Sequence, residues 1–244
     1  MLAEIASPLT KINVMKIQLL LYFLCASLTC FSQNINYHIK GTASNSNGSH
    51  VYLVSQLKQP DRNDLDVFQS CKIQDGKFEF KGQYNLNGQL LPQGAIFVDT
   101  RSDLSKQEVI SKFKNFVWVP DQTDHLRSLQ LEDMEIVIDT PAQARTAQIV
   151  RGGELTKQMD EVNQAVRSRN RRLLHVIKRY PNSPACMSAI EFFTAHAPKE
   201  RADKTRANVG APNEMFELLS EDVKKSEWGV KWKKKIDELM ESWK

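Results

Sequence analysis

Cysteine is scarce in this sequence: the 244 residues contain four, and no two of them stand in a C-x-x-C pair. Thioredoxin-like redox motifs and many structural zinc sites contain cysteines at such short spacings. The five histidines are scattered singly, so the sequence offers no histidine pair as metal ligands. From its residues alone, the chain is predicted to have neither a metal site nor a cofactor.

The usual sequence signatures of catalysis are also missing. The chain contains no G-x-S-x-G, no H-E-x-x-H, no phosphate-binding P-loop and no G-x-G-x-x-G. We therefore predict no catalytic and no cofactor-binding residues, and interpret the chain as a protein that is not an enzyme.

The chain carries only a small charge excess. Its formal net charge is +4, and the excess lies between positions 154 and 244, which hold 18 basic and 14 acidic residues. Nucleic-acid-binding modules usually have a denser basic patch. The sequence therefore predicts no nucleic-acid partner.

An export signal begins at Met15. Lys16 gives a positive start, positions 17–28 are almost wholly apolar, and a small residue, Ser32, precedes Gln33. This is the three-part layout of a secretory signal peptide, predicted here over 15–32 with cleavage between Ser32 and Gln33. The apolar run falls short of the roughly 20 residues that a membrane-spanning helix needs.

Positions 1–14 and Cys30 also bear on the predicted cellular location of the protein. Positions 1–14 are interpreted as an upstream extension, because a signal peptide normally begins at its own methionine. Lipid attachment at Cys30 is disfavoured, because the preceding Ser27-Leu28-Thr29 is a poor lipoprotein signal. We predict a protein exported to the periplasm or cell envelope.

Residues 33–150 read as an antiparallel β-domain. Short apolar-alternating runs are separated by turn residues, and Asp75-Gly76 between two of them is a strong hairpin signal. The runs are INYHIKGTA, SHVYLVSQL, DVFQSCKIQ, GKFEFKGQY, GAIFVDT, NFVWVPD and MEIVIDT. Strands of this length favour a small sandwich or barrel, while TRSDLSKQEVISKFK is left open as a short helix or a loop.

Residues 154–244 read as a helical domain. Apolar residues from Leu155 to Tyr180 follow helical spacing and predict one long helix that ends before Pro181. Ser183 and Pro184 then supply an N-cap and a first-turn proline for the next helix. Positions 199–213 are interpreted as a loop or a poorly formed helix. The predicted fold class is α+β: an N-terminal antiparallel β-sandwich or barrel followed by a C-terminal helical segment.

The last helix is predicted to start near Ser220 and to carry an apolar face. The residues of this face, spaced by three or four, are Trp228, Trp232, Ile236, Leu239 and Trp243. The lysines of this segment then solvate the opposite side, so packing inside the protein is favoured. The face is our candidate partner surface if it is open, and tryptophan against lysine is also the pattern of membrane-surface helices.

Two cysteines, Cys71 and Cys186, lie outside the signal segment. Because we assign them to different domains, free thiols are favoured over a disulfide. They are weak candidates for thiol chemistry, since no histidine or basic cluster stands beside Cys71 in sequence to lower its pKa.

The order of YHIKGTA, HVYLV, DGKFEFKG and LEDMEIVID after a signal peptide resembles a family. It is similar to the uncharacterised N-terminal β-domain of exported thioredoxin-like disulfide oxidoreductases (TlpA/AhpC-TSA type) of Gram-negative bacteria. YPNSPACMSAIEFF and SEWGVKWKKKIDEL resemble the helical segment that follows in that family. In the fuller relatives a thioredoxin domain with C-x-x-C comes next and carries the redox chemistry. This sequence contains no C-x-x-C, so the resemblance implies no redox activity for it.

These observations lead to a functional expectation. We expect a non-catalytic, exported cell-envelope module that acts by protein–protein contact, with a thioredoxin-fold or other envelope protein as partner. The alternatives are a thiol-redox accessory protein or truncated disulfide oxidoreductase, and a protein that binds membrane surfaces through its last helix.

Overall fold

The computed structural model describes residues 34–44, 46, 48–57, 63–118 and 123–244. The predicted extension, the signal peptide with its Ser32–Gln33 cleavage point, and Cys30 lie outside the described residues. Asn34–Lys244 form one compact unit. The division into domains at 33–150 and 154–244 stays a prediction. Among the described helices, none has the length and apolar character needed to cross a membrane.

Strands occupy the first part of the unit. In chain order the described strands are β1 (Asn34–Ala43), β2 (His50–Ser55), β3 (Phe68–Lys72), β4 (Lys77–Asn85), β5 (Gln93–Asp99), β6 (Arg127–Gln130), β7 (Met134–Ile138) and β8 (Gln148–Gly152). Sheet A has the order β4-β1-β7-β8, and sheet B has the order β3-β2-β5-β6.

The two sheets face each other across a common core. Along β4, Phe78, Phe80 and Tyr84 are buried while the residues between them are exposed or half-buried, as expected for a strand with one face on a core. Ile39 of β1 and Ile96 of β5 join the same cluster from opposite sheets. The fold is a sandwich of two four-stranded sheets followed by helices, which confirms the predicted α+β class.

One pairing departs from the antiparallel prediction. β1 pairs with β7 in parallel, with Ile39 opposite Met134 and Ala43 opposite Ile138. The remaining strand pairs are antiparallel. Since β1 and β7 are far apart in sequence, the alternation of apolar residues carries no information on their relative direction.

The Asp75-Gly76 turn forms as predicted, but it joins strands of different sheets. Asp75 and Gly76 both have positive φ, 50° and 71°, and Gln74 and Lys77 exchange backbone hydrogen bonds across the turn. Beyond it, β3 pairs with β2 and β4 pairs with β1. The turn therefore passes the chain from sheet B to sheet A.

Sheet B is covered on its outer face as well. Tyr52, Val54 and Phe97 contact Val109 and Ile110 of α1 (Lys106–Lys114) in a second apolar cluster. The segment that was left open as helix or loop is thus a helix, and Ser105 and Glu108 form its capping box. The run NFVWVPD was wrongly predicted as a strand, because positions 115–118 form a turn after α1.

The helical part begins at Glu154. Its helices are α2 (Glu154–Ser168), α3 (Arg172–Arg179), α4 (Pro184–His196), α5 (Ala202–Asn208), α6 (Pro212–Glu217), α7 (Glu221–Lys225) and α8 (Glu227–Ser242). Ser183 caps α4 by accepting from the Ala185 amide, as predicted. The segment 199–213, predicted as loop or poor helix, contains α5 and the start of α6.

The predicted long helix is divided in two. Arg169, Asn170 and Arg171 have φ of 57°, 53° and 59°, so the chain turns sharply between α2 and α3. The apolar residues of α2 and those of α3 are buried in the same cluster, which includes Val162 and Ile177. The apolar pattern therefore continues across the turn although the helix does not. The last helix is likewise split, at Ser226, whose side chain caps α8.

Candidate functional site

A cleft opens on the outer face of sheet B, between the end of α1 and the side of α2. Its cavity volume is about 360 Å³, within the range of roughly 300–1,000 Å³ typical of ligand pockets. The cleft is bounded by β2, β5 and β6 below, by the turn after α1 on one side and by α2 on the other.

Small side chains form the floor of the cleft. Ala95 of β5 lies opposite Ser128 of β6 in the strand register. On the same face of β5, two residues further along, Phe97 stacks on Tyr52 with ring centroids 5.2 Å apart. Ala95 and Ser128 carry only a methyl and a hydroxymethyl group, whereas Phe97 beside them carries a ring. The cavity occupies the depression that these smaller side chains leave on the sheet.

Aromatic side chains form the wall on the α1 side. Trp118 is held against Phe97, with centroids 4.6 Å apart, and against Phe113, at 5.9 Å. The ammonium of Lys112 lies 4.2 Å from its ring centre, a cation–π distance. Trp118 is therefore a fixed part of the wall.

Phe116 stands at the mouth of the cleft with 72% of its surface exposed, and the adjacent Val117 is 61% exposed. The φ of Phe116 is 55°, a left-handed conformation that is uncommon for a bulky residue. The amides of Val117 and Trp118 both donate to the Lys112 carbonyl, at 3.0 and 3.2 Å. These two hydrogen bonds to the end of α1 hold the turn in which Phe116 is exposed and Trp118 is buried.

Two polar atoms of the cleft floor lack hydrogen-bond partners. Ser128 Oγ and Gln130 Oε1 are buried and have no hydrogen-bond partner among the described residues. Gln130 as a whole is only 4% exposed. Leaving a buried polar atom unpaired costs about 1–3 kcal/mol, so both atoms are sites where an additional hydrogen bond would stabilise the protein.

A set of polar contacts attaches α2 to the β6–β7 connection. Gly153 at the start of α2 has no side chain to cap the helix. Glu132 takes that role: it accepts from the amides of Leu155 and Thr156, at 3.1 and 2.7 Å, and from Thr156 Oγ1, at 2.8 Å. Thr156 Oγ1 in turn accepts from the Gln130 amide at 2.9 Å. This clasp holds the start of α2, the helix that forms one side of the cleft.

Among the residues that the structure describes, the lining of the cleft carries no unpaired charge. Asp160 is the charged residue on its lining, and both carboxylate oxygens of Asp160 accept from the guanidinium of Arg127, one of them at 3.0 Å. Because this ion pair is two-pronged, the carboxylate is largely neutralised. The arrangement suits a neutral guest with apolar surface and a hydrogen-bonding group.

The candidate thiols lie elsewhere. Cys71 is half-buried on β3, whereas Cys186 is fully buried on α4, and both are free thiols. Burial raises the pKa of the Cys186 thiol to about 12. A thiol with such a pKa remains protonated near neutral pH and is a poor nucleophile.

The predicted partner face is not an open surface. Trp232, Ile236 and Trp243 are buried, and Trp228 and Leu239 are half-buried. Ile236 and Trp228 pack in the main helical cluster, and Trp243 packs against Ala197, Ala202 and Ala211. The last helix is therefore packed inside the protein, as its apolar spacing favoured, and a partner role for these residues stays a prediction. The membrane-surface alternative likewise stays a prediction.

Within the described ranges, no group of three histidine, cysteine, aspartate or glutamate side chains is placed to hold a metal ion. The residues that form the cleft were not singled out from the sequence. The apolar alternation of positions 115–121 predicts a strand for Phe116 and Trp118, and no sequence pattern predicts β6, which carries Ser128 and Gln130. Only a β5–β6 register could have brought Ala95 and Ser128 together, and a single sequence does not contain that register.

Comparison with known proteins adds no relative. No family model matches this chain, and neither a curated protein nor a solved structure matches it. The resemblance to the N-terminal part of thioredoxin-like oxidoreductases therefore stays a prediction.

Proposed function

We propose that this chain is an exported binding module of the cell envelope, acting by protein–protein contact and not by catalysis, and that contact is made at the mouth of the cleft. The observation that supports this is the pair Phe116 and Val117, both mostly exposed beside a cavity of ligand-binding size. Exposed apolar side chains that adjoin a cavity are a typical contact site. A thioredoxin-fold envelope protein is the partner suggested by the resemblance.

The contact is tested by binding measurements on purified proteins. Thioredoxin-fold envelope proteins from the same source are titrated with the wild-type chain and with a Phe116→Ser/Val117→Ser variant. Because each side chain would lose its apolar burial, the double substitution is expected to weaken binding at least tenfold. The matched control is Val230→Ser, which alters an equally exposed valine on α8.

Two results would contradict the proposal. One is the lack of any envelope protein whose binding depends on Phe116 and Val117. The other is equal weakening by Val230→Ser, which would mean that the effect is not specific to the cleft. The folded state of each variant is checked by circular dichroism before titration.

Export is tested separately. The chain is expressed in a Gram-negative host, and the N-terminus of the protein recovered from the cell envelope is sequenced. The signal-peptide pattern leads us to expect a chain that begins at Gln33. A chain retained in the cytoplasm with residues 15–32 attached would contradict the localisation.

A further inference from the structure

We infer that the cleft binds the ring of a partner's tryptophan or tyrosine side chain, with the ring's N–H or O–H group bonded to the polar pair Ser128 and Gln130. This deepens the proposed function and rests on it for the source of the ring.

The shape and lining of the cleft fit a flat ring. One wall is aromatic, formed by Phe113, Phe116 and Trp118, and the opposite wall carries Met159 of α2. Aromatic rings associate in offset-stacked and edge-to-face arrangements, and methionine sulfur makes favourable contacts with ring edges. A ring in the cleft would also cover Phe116, which is otherwise 72% exposed.

The polar atoms specify what the ring must carry. Gln130 Oε1 is an acceptor without a donor, and Ser128 Oγ can donate or accept. Ser128 and Gln130 are two residues apart on β6, so their side chains point to the same side of sheet B, and both line the cleft. A ring with an N–H or O–H group supplies the donor that Gln130 lacks, whereas a phenylalanine ring does not.

The described lining residues offer no unpaired charge to a charged guest of similar size. Asp160 is neutralised by its two-pronged pair with Arg127, so an ammonium group finds no free carboxylate on the lining. An anion would face the unpaired acceptor of Gln130 and be repelled. A neutral aromatic side chain with one donor can stack on the aromatic wall, contact Met159 and donate to Gln130.

The probe is N-acetyl-tryptophanamide, and its matched control is the same compound methylated at the indole nitrogen. Binding is followed by NMR of the methionine methyl groups, because Met159 lines the cleft while Met187 of α4 and Met240 of α8 lie on helices that do not bound it. We expect dissociation constants on the order of 0.1–1 mM for a probe of this size. The Met159 signal alone should shift, and methylation should weaken binding about fivefold or more, because the donor is lost.

A Gln130→Leu variant tests the polar partner. It removes an unpaired acceptor from a buried site, so the fold should be retained. The variant is expected to bind the two probes equally, since neither then gains a hydrogen bond from position 130. N-acetyl-phenylalaninamide should bind the wild-type chain about as weakly as the methylated probe.

Several results would overturn the inference. They are absence of a Met159 shift, equal binding of both probes by the wild-type chain, and binding of free indole without binding of the capped amide. An ordered water that satisfies Ser128 and Gln130 in a crystal, and that the probe does not displace, would mean a water site only. If the probes behave as expected but the Phe116→Ser/Val117→Ser variant keeps its partners, the cleft chemistry stands and the proposed contact falls.

Discussion

The two cysteines differ in reactivity because they differ in burial. Cys186 has no exposed surface, whereas Cys71 is half-buried. With iodoacetamide at pH 8, we expect alkylation of Cys71 in the folded protein and of Cys186 only after unfolding. Mass spectrometry of the two peptides measures both rates. Equal labelling of both sites in the folded protein would contradict the buried position of Cys186.

The raised pKa of Cys186 also predicts a pH dependence of stability. The thiol ionises at about 12 when folded, against an ordinary value of 9.0. Above pH 9 the unfolded chain therefore loses this proton first, and the free energy of unfolding falls as pH rises from 9 towards 12. The slope of urea-derived stability over this window should be smaller in Cys186→Ala. Identical slopes would count against the assignment.

Glu132 replaces the missing cap of α2 and thereby joins the helix to the sandwich. Its carboxylate meets two amides and one hydroxyl. We expect Glu132→Ala to lower the free energy of unfolding by about 1–2 kcal/mol, the usual effect of removing an N-cap. The control is Glu135→Ala, whose exposed pair with Arg151 at 3.2 Å should contribute less than about 1 kcal/mol. Urea titrations that rank the two variants in the opposite order would contradict the role of Glu132.

Among the elements, the turn between α2 and α3 places a non-glycine residue in an unfavourable backbone conformation so that both helices can pack in one cluster. Arg169 has φ 57° and ψ −144°, a region that favours glycine. The conformation persists because both flanking helices bury their apolar stripes in one cluster. Strain of this kind is relieved when glycine replaces the residue.

Arg169→Gly should therefore leave the free energy of unfolding unchanged or raise it by up to about 1 kcal/mol. Arg167→Gly, two residues earlier inside α2, should lower it by about 1 kcal/mol, because glycine disfavours a helix interior. Thermal and urea unfolding of the pair give the comparison. A destabilisation by Arg169→Gly as large as that by Arg167→Gly would show that the left-handed turn is absent.

α8 is a packed structural helix, and its two sides should respond differently to truncation. Ile236 is fully buried, while Val230 is 65% exposed. We expect Ile236→Ala to cost about 2–5 kcal/mol and Val230→Ala less than about 0.5 kcal/mol. Chemical unfolding of both variants tests this. Similar small effects would indicate that the tryptophan face is open after all.

At the scale of the whole molecule, the sandwich and the helices form one compact unit held by the Glu132 clasp and the Arg127–Asp160 pair. We expect native-state hydrogen exchange of β5 and α4 amides to report the same opening free energy, as in a single cooperative transition. Glu132→Ala should lower both values together. A lower value for α4 alone would mean that the helical part opens independently.

The class of fold and much of the local structure could be predicted from the order of the residues. Alternation along β4, the Asp75-Gly76 turn, the Ser183–Pro184 start of α4 and the apolar spacing of α8 could all be read from neighbouring residues. Each depends on a local rule: which face a side chain takes, which φ a turn needs, or which residue caps a helix.

Contacts between segments that are far apart in the sequence became known only from the tertiary structure. It brought β1 beside β7 in parallel, sent β3 and β4 into different sheets, and bent the long apolar stripe at Arg169. It buried the tryptophan face that we had considered for a partner, and it assembled the cleft from Ala95, Phe116, Ser128 and α2. The reason is physical: register, strand direction and contacts between sheets and helices arise from packing between remote segments, on which local preferences are silent.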